Sequence, residues 1–266
     1  MHPDLPLSVG SLQEFQLRRP EASFTGWFYS LGVEAYELLK PFASDILHPD
    51  EMRYFTPLPA ERRRISFLLG RFAAKRALRP CLEGVEFADI NLVPGIFKNP
   101  VVCCPMREPW QVSITHSDAI VSAIAFPMVH PMALDVESIN AEKVPAMATQ
   151  IQDGERAEAI RCGLDIPSAS TLLWTAKEAL SKTLHTGLTC SFTLFKVHDL
   201  ARINEAELKG LYTNFTQYKF HAWIRHGCVL TMALPRRTEI IFESGRPHLP
   251  APIQDAGASG NSIIKP

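Results

Sequence analysis

The chain has 266 residues, 46% of them hydrophobic and 21% charged, with a formal net charge of -1 and a mean hydropathy of zero. That profile excludes a disordered or fibrous protein and argues against a general nucleic-acid binder. No apolar run approaches the roughly 20 residues of a membrane helix, and the start "MHPDLPLSVGSLQEF" has neither the basic nor the apolar region of a signal peptide. A cytoplasmic protein with no nucleic-acid or membrane partner is therefore expected.

Residues 1–22 are Pro-rich and aperiodic and read as a loose segment. The stretch "FTGWFYSLGVEAYEL" begins with strand-like alternation, and "LHPDEMRYFTPLPAERRRISFLLGRFAAKRAL" reads as two helical pieces broken by Pro57 and Pro59. In the second piece Ile65, Leu68, Leu69, Phe72 and Ala73 share one stripe, and Arg62, Arg63, Arg64, Arg71 and Lys75 spread over the rest. Residues 85–138, dense in β-branched side chains and punctuated by Pro and Gly, read as several short strands.

A second helical region follows in "AEKVPAMATQIQDGERAEAIRCG" and "SASTLLWTAKEALSKTLHTGL". Strand patterning returns in "SFTLFKVHDL", "QYKFHAWIRH" and "CVLTMALP". Helix, strands, helix, strands predicts an α+β fold of two similar halves, 23–128 and 129–245, with a loose tail at 246–266. The recurrence of "FAAKRAL" at 72–78 as "WTAKEAL" at 174–180 supports a duplication, with Arg76 in the first copy where the second has Glu178. Six scattered cysteines without a C-x-x-C pair exclude a zinc ribbon or a thioredoxin-type motif.

Three clusters carry chemistry. In "LDVES" (134–138) Asp135 and Glu137 alternate with Val136, so in a strand both acids share one face and Val136 turns inward. Adjacent carboxylates repel unless a cation lies between them, and hard oxygen ligands suit Mg²⁺. In "WTAKEALSK" (174–182) Glu178 and Lys182 are one helical turn apart, with Trp174 one turn before them. In "SITHS" (113–117) His116 sits among small hydroxyl residues that leave room for a ligand. Each cluster alone has an ordinary structural reading: a solvated strand end, an exposed ion pair, a satisfied histidine.

Together the clusters resemble the 4'-phosphopantetheinyl transferases, of the larger, two-lobed surfactin-synthetase-activating type. Ala133-Leu134-Asp135-Val136-Glu137 resembles the family's Gly-x-Asp-x-Glu signature, with Ala133 for glycine. Trp174, Lys177, Glu178, Ala179 and Lys182 match its second signature without a gap. Thr115-His116-Ser117 resembles its Ser-His-Ser element, "GIFKNPVV" (95–102) its Gly-x-Pro strand pair, and Gly70-Arg71 its Gly-Arg helix. A weaker match, "LHPDEMRYF", extends the resemblance back to about residue 47.

The resemblance implies two α/β lobes related by a pseudo-two-fold axis, with the active site in the cleft between them. It implies that Asp135, Glu137 and Glu178 hold Mg²⁺, or Mn²⁺, against the pyrophosphate of coenzyme A, the co-substrate. The phosphopantetheine arm would pass to a serine of an apo acyl or peptidyl carrier protein, releasing adenosine 3',5'-bisphosphate. Glu178 is the implied base and Lys182 the cation for the leaving phosphate. Thr115, His116, Arg62, Arg71 and Lys98 are the implied coenzyme A contacts. The role of Lys177 stays open, and a monomer is expected. A different magnesium-dependent phosphotransfer enzyme, or a non-catalytic paralogue that binds carrier protein, are the alternatives.

Overall fold

The computed structural model describes residues 4–82, 84–104 and 109–251. The first half comprises β1 (Ser11–Arg18), β2 (Ser23–Gly32), α1 (Ala35–Leu39), α2 (Ala43–Ile46), α3 (Pro49–Phe55), α4 (Glu61–Leu78), β3 (Asn91–Pro94), β4 (Pro100–Cys103), β5 (Trp110–His116) and β6 (Ile120–Pro127). The second comprises β7 (Ala133–Ser138), α5 (Val144–Ala148), α6 (Asp153–Arg161), α7 (Ile166–Thr183), β8 (Val197–Arg202), β9 (Glu207–Tyr212), β10 (Tyr218–Arg225), β11 (Cys228–Pro235) and β12 (Glu239–Phe242). Among the described residues no helix is long and apolar enough to cross a membrane.

Two antiparallel five-stranded sheets result, one ordered β12-β1-β2-β6-β5 and the other β7-β11-β10-β9-β8, with β3-β4 as a separate hairpin. Each sheet carries one long helix. On α4 the predicted stripe is realised, with Leu68, Leu69, Phe72 and Ala73 fully buried against β2, β5 and β6. Burying a Leu or Phe side chain contributes about 1.5–3 kcal/mol, enough for this stripe to set the helix's orientation. Gly70 sits where a Cβ would lie 3.3 Å from Ile114 Cγ2, so α4 approaches β5 closely there. Helix α7 starts at Asp165, whose side chain accepts from Ser168 N at 2.9 Å, with Pro167 in its first turn. It ends as the chain reaches His185 at φ +54.

The sheets pack face to face over a third core that includes Phe15, Phe28, Ile124, Leu134, Val136, Trp223 and Met232. Val136 is fully buried there, as the alternation at 135–137 predicts. Edge strands β5 and β7 meet along a seam. Ser113 Oγ accepts from Leu134 N at 3.3 Å, and Thr115 Oγ1 accepts from Val136 N at 3.0 Å.

The duplication goes deeper than the sequence repeat. Lys75 reaches Glu51 at 2.6 Å and Lys177 reaches Glu155 at 2.8 Å, both pairs buried. Each glutamate also takes the backbone N–H of a following strand, Leu92 at 3.1 Å and Val197 at 2.8 Å, and closes a capping box on its own helix. Lys177 of the second signature is thus the counterpart of Lys75. Its place is in the core, not in a ligand pocket.

Several expectations are corrected. Residues 11–18 of the segment read as loose form β1, paired between β2 and β12, because Phe15 and Leu17 are fully buried in the core between the sheets. Strand β12 returns to the first sheet, so the division at 128/129 does not hold for 239–242. In "SFTLFKVHDL" Phe192–Phe195 is a 3-10 turn and the strand begins at Val197; β9 was not foreseen. In the tail, Leu249 is buried and His248 N donates to Gln13 Oε1, so the tail is tied down as far as these residues. The rest of the loose-tail expectation, 252–266, and that for residues 1–3 lie outside the described residues.

His130, fully buried in the turn after β6, bonds Thr238 Oγ1 through Nε2 at 2.8 Å, while Nδ1 has no partner among the described residues. Burial pushes its pKa down to about 4, against an opposing backbone hydrogen bond, with Arg19 adding a lesser downward push. The unfolded chain therefore takes up this proton first as pH falls. Stability is fully present above the ordinary histidine value of about 6.5 and declines until about pH 4, by on the order of 3 kcal/mol. Urea midpoints at pH 7 and pH 5 test this. His130→Gln should shrink the wild-type drop, and an equal drop in both proteins would refute the assignment.

Candidate active site

At the seam, Asp135 on β7 is 6% exposed. Its Oδ1 accepts from Lys182 Nζ on α7 at 2.7 Å and from Thr115 Oγ1 at 2.8 Å, while Oδ2 is buried without a partner. Lys182 also lies 3.4 Å from the carbonyls of Ile114 and Leu134, so it bridges both lobes. Glu137, two residues on and on the same face, pairs with Lys143 at 3.2 Å. That lysine also holds Asp118 Oδ2 at 3.1 Å, and Asp118 Oδ1 accepts from Arg62 at 3.0 Å.

Glu178, one turn before Lys182, makes no hydrogen bond or ion pair among the described residues. Its pKa is pushed up to about 7, first by burial and then by the charge of Asp135, with Glu137 adding and Lys182 opposing. Glu137 is likewise raised, by burial and then Asp135, against Lys143. The charges of Asp135 and Glu137 thus both act against ionisation of Glu178, and the charge of Asp135 against that of Glu137.

Among the described residues no group of three or more His, Cys, Asp or Glu side chains is gathered closely enough to hold a metal. The three-carboxylate ligand set is therefore not assembled as a cage; Asp135 is bonded to Lys182 and Glu137 to Lys143. The donor chemistry nonetheless fits a hard dication. The unpartnered Asp135 Oδ2, the unpaired Glu178 and the upward shifts of two carboxyls all mark a deficit of cation at this point.

Two cavities open beside these residues. The larger, about 1000 Å³, lies between α4, the β3-β4 hairpin and the end of β5, and Arg62, Arg63, Arg71, Lys98 and His116 line it. The smaller, about 220 Å³, holds Glu178, Lys182, His185 and Phe97. Lys98 lines both, on a hairpin turn where its φ is +64, a conformation uncommon for a residue other than glycine. His116 is exposed at the cleft wall. Its pKa is lowered, chiefly by desolvation from the surrounding walls and then by Lys182, which favours a neutral imidazole.

Two expected coenzyme A contacts are differently engaged. The Thr115 hydroxyl is buried and spent on Asp135 and Val136 N, so it orients the carboxylate instead of facing an open pocket. Arg71 pairs with Glu51 at 2.9 Å and donates to Leu92 O at 3.0 Å. Much of its charge is already answered, although it still lines the larger cavity.

The sequence reading missed Asp118 and Lys143. Asp118 follows "SITHS" directly and Lys143 lies five residues past "LDVES", but a loop acid and a loop lysine carry no periodic signal. The duplication explains why one site exists. Asp135 pairs with Thr231, fourth in β11, as Tyr29 pairs with Ala123, fourth in β6. Tyr29 thus occupies the position of Asp135, and Arg76 that of Glu178. In the first lobe the Arg76 guanidinium lies 5.3 Å from the centre of the Tyr29 ring, a stack without metal-ligand chemistry.

Part of the chain is similar to known proteins. The profile of the 4'-phosphopantetheinyl transferase superfamily matches residues 131–233, which contain both signatures. A holo-[acyl-carrier-protein] synthase of Streptococcus agalactiae is 33% identical over 93 residues, 32% of this chain and 76% of that protein. One of Acholeplasma laidlawii is 27% identical over 109 residues, 37% of this chain and 92% of that protein. Among solved structures, a holo-(acyl-carrier-protein) synthase of Bacillus anthracis in complex with CoA (3',5'-ADP) aligns at TM-score 0.35 and 21% identity, covering 44% of this chain and 96% of that one. By the Streptococcus match, the chain belongs to the 4'-phosphopantetheinyl transferase superfamily, and it is a transferase.

Proposed function

We propose that this protein moves the 4'-phosphopantetheine arm of coenzyme A onto a serine of an apo carrier protein, with a divalent cation, Mg²⁺ or Mn²⁺, held by Asp135, Glu137 and Glu178. The observation that carries the reading is Glu178, unpaired and pushed up to about 7 beside Asp135 and Lys182, next to a cleft lined with cations. Family membership, and relatives named as holo-[acyl-carrier-protein] synthases, supply the substrate class.

In the reaction, the carrier serine Oγ bonds to the phosphorus that bears the pantetheine arm. The bond from that phosphorus to the bridging oxygen breaks, and adenosine 3',5'-bisphosphate leaves with the electron pair. Such transfers depend on positioning and charge neutralisation more than on covalent help from the protein. When bound, the cation withdraws charge from the diphosphate oxygens. Glu178, a carboxylate with no hydrogen bond or ion pair among the described residues, takes the serine proton. Lys182 donates to the leaving phosphate, and Thr115 keeps Asp135 turned toward the cleft. Arg62, Lys98 and neutral His116 bind the nucleotide phosphates, with Arg71 lending the charge that Glu51 leaves. Both lobes of one chain build the site, which supports a monomer as the active form.

The test is intact-protein mass spectrometry of apo acyl and peptidyl carrier proteins incubated with this protein, coenzyme A and Mg²⁺, with and without EDTA. A mass gain of one phosphopantetheine arm, lost with EDTA and restored by excess Mg²⁺, is the expected result. A gain unaffected by EDTA would remove the metal from the reading; no gain with any carrier would remove the activity.

A further inference from the structure

We infer that Lys143 is the resident counter-ion of Glu137, a positioning residue that holds this carboxylate while no divalent cation is bound and releases it when one arrives. The inference rests on the metal reading of Asp135, Glu137 and Glu178 given above.

The three carboxylates stand in different electrostatic situations. Glu178 has no ion pair among the described residues, and Asp135 keeps one buried oxygen without a partner. Glu137 is held by the ammonium of Lys143 at 3.2 Å, with side-chain exposures of 24% and 35%, and Asp135 by Lys182, itself 30% exposed. A dication bound to Glu137 would share one carboxylate with that ammonium, and the like charges repel.

Lys182 faces the same conflict at Asp135 but is tied in place. Two backbone carbonyls, of Ile114 and Leu134, flank its ammonium across the seam. Lys143 has no such anchor. Its second partner is Asp118 Oδ2 at 3.1 Å, on the loop between β5 and β6, so a released ammonium keeps a counter-charge. Asp118 also holds Arg62, which lines the large cleft, so the exchange at Glu137 touches the pocket proposed for the phosphates. Lys143 sits just before α5, outside both family signatures, which is where a device particular to this chain would lie.

The pair is half exposed, so its competition with a metal is modest. Removing a competitor of this kind tightens cation binding by about two- to fivefold. The test is Mn²⁺ titration of the full chain, followed by the electron paramagnetic resonance signal of the free ion, without coenzyme A. Lys143→Met should lower the Mn²⁺ Kd by that factor, Lys143→Arg should stay near wild type, and Asp135→Asn should raise it by about tenfold or more. Circular dichroism checks folding, and Lys143→Gln serves if the methionine variant does not fold. An unchanged or higher Kd in Lys143→Met and Lys143→Gln, with Asp135→Asn still weakened, would overturn the counter-ion role and leave the metal site standing. Absence of Mn²⁺ binding by wild type, or indifference to Asp135→Asn, would overturn both.

Discussion

Glu178→Gln should lower the rate of arm transfer by roughly two to four orders of magnitude, the range a positioned general base commands, with coenzyme A affinity at saturating Mg²⁺ almost unchanged. The substitution keeps the size and shape of the side chain, so the packing of α7 survives. What it removes is the proton acceptor and one of three negative charges. The native carboxyl is raised to about 7 because burial and two neighbouring acids work against its charge, and only Lys182 opposes them. An amide at this point relieves that repulsion, so the variant should be at least as stable as wild type. Slower turnover in a more stable protein is the pattern expected of a residue kept for chemistry. Single-turnover transfer and coenzyme A titration, run with thermal midpoints, measure all three quantities. Retention of transfer within about tenfold of wild type would take the proton-accepting role from Glu178.

The carboxylate site was legible because its spacing is local. Alternation in a strand puts Asp135 and Glu137 on one face, and one helical turn puts Glu178 beside Lys182. These relations hold whatever the rest of the chain does. What was not legible depends on residues far apart in sequence. Thr115 looked like a phosphate contact from its neighbours, yet its hydroxyl is claimed by Asp135, 20 residues away across the seam. Arg71 looked free until α3 brought Glu51 beneath it. The strand β1 was obscured by the Pro-rich flank and by partners at both ends of the chain, though the Phe15–Leu17 alternation was present. The fold class could be read from the order of periodic segments, whereas the exchange of β12 into the first sheet has no sequence signature at all.

Lys177→Met should destabilise the fold by about 3–5 kcal/mol, the cost of leaving a buried charge without its partner. Both Lys177 and Glu155 are wholly buried, and their oxygens and protons are fully used: Glu155 takes Val197 N, Gln152 N and Lys177, and the lysine also donates to Gln150 O at 2.8 Å. Burial works against the ammonium and Glu155 works for it, so removing either one exposes the full desolvation cost of the other. Lys177→Met combined with Glu155→Gln should recover part of the loss, since a neutral amide can still accept one backbone N–H without carrying an unanswered charge. Urea unfolding of the two single variants and the double variant measures the coupling, and additive single effects would mean the pair is not what holds α7 to α6 and β8. Lys177 is adjacent in sequence to Glu178 but points about 100° away round the helix. The transfer rate per folded molecule should therefore stay near wild type in Lys177→Met while the folded fraction falls. The same split should appear for Lys75→Met in the first lobe, which has no carboxylate site. Stability losses at both lysines, smaller at Lys75 because Glu51 keeps Arg71 at 2.9 Å, with no loss of turnover per folded molecule at either, would show that the lysine of the signature is an inheritance of the duplicated fold, and that chemistry was added one residue later in only one copy.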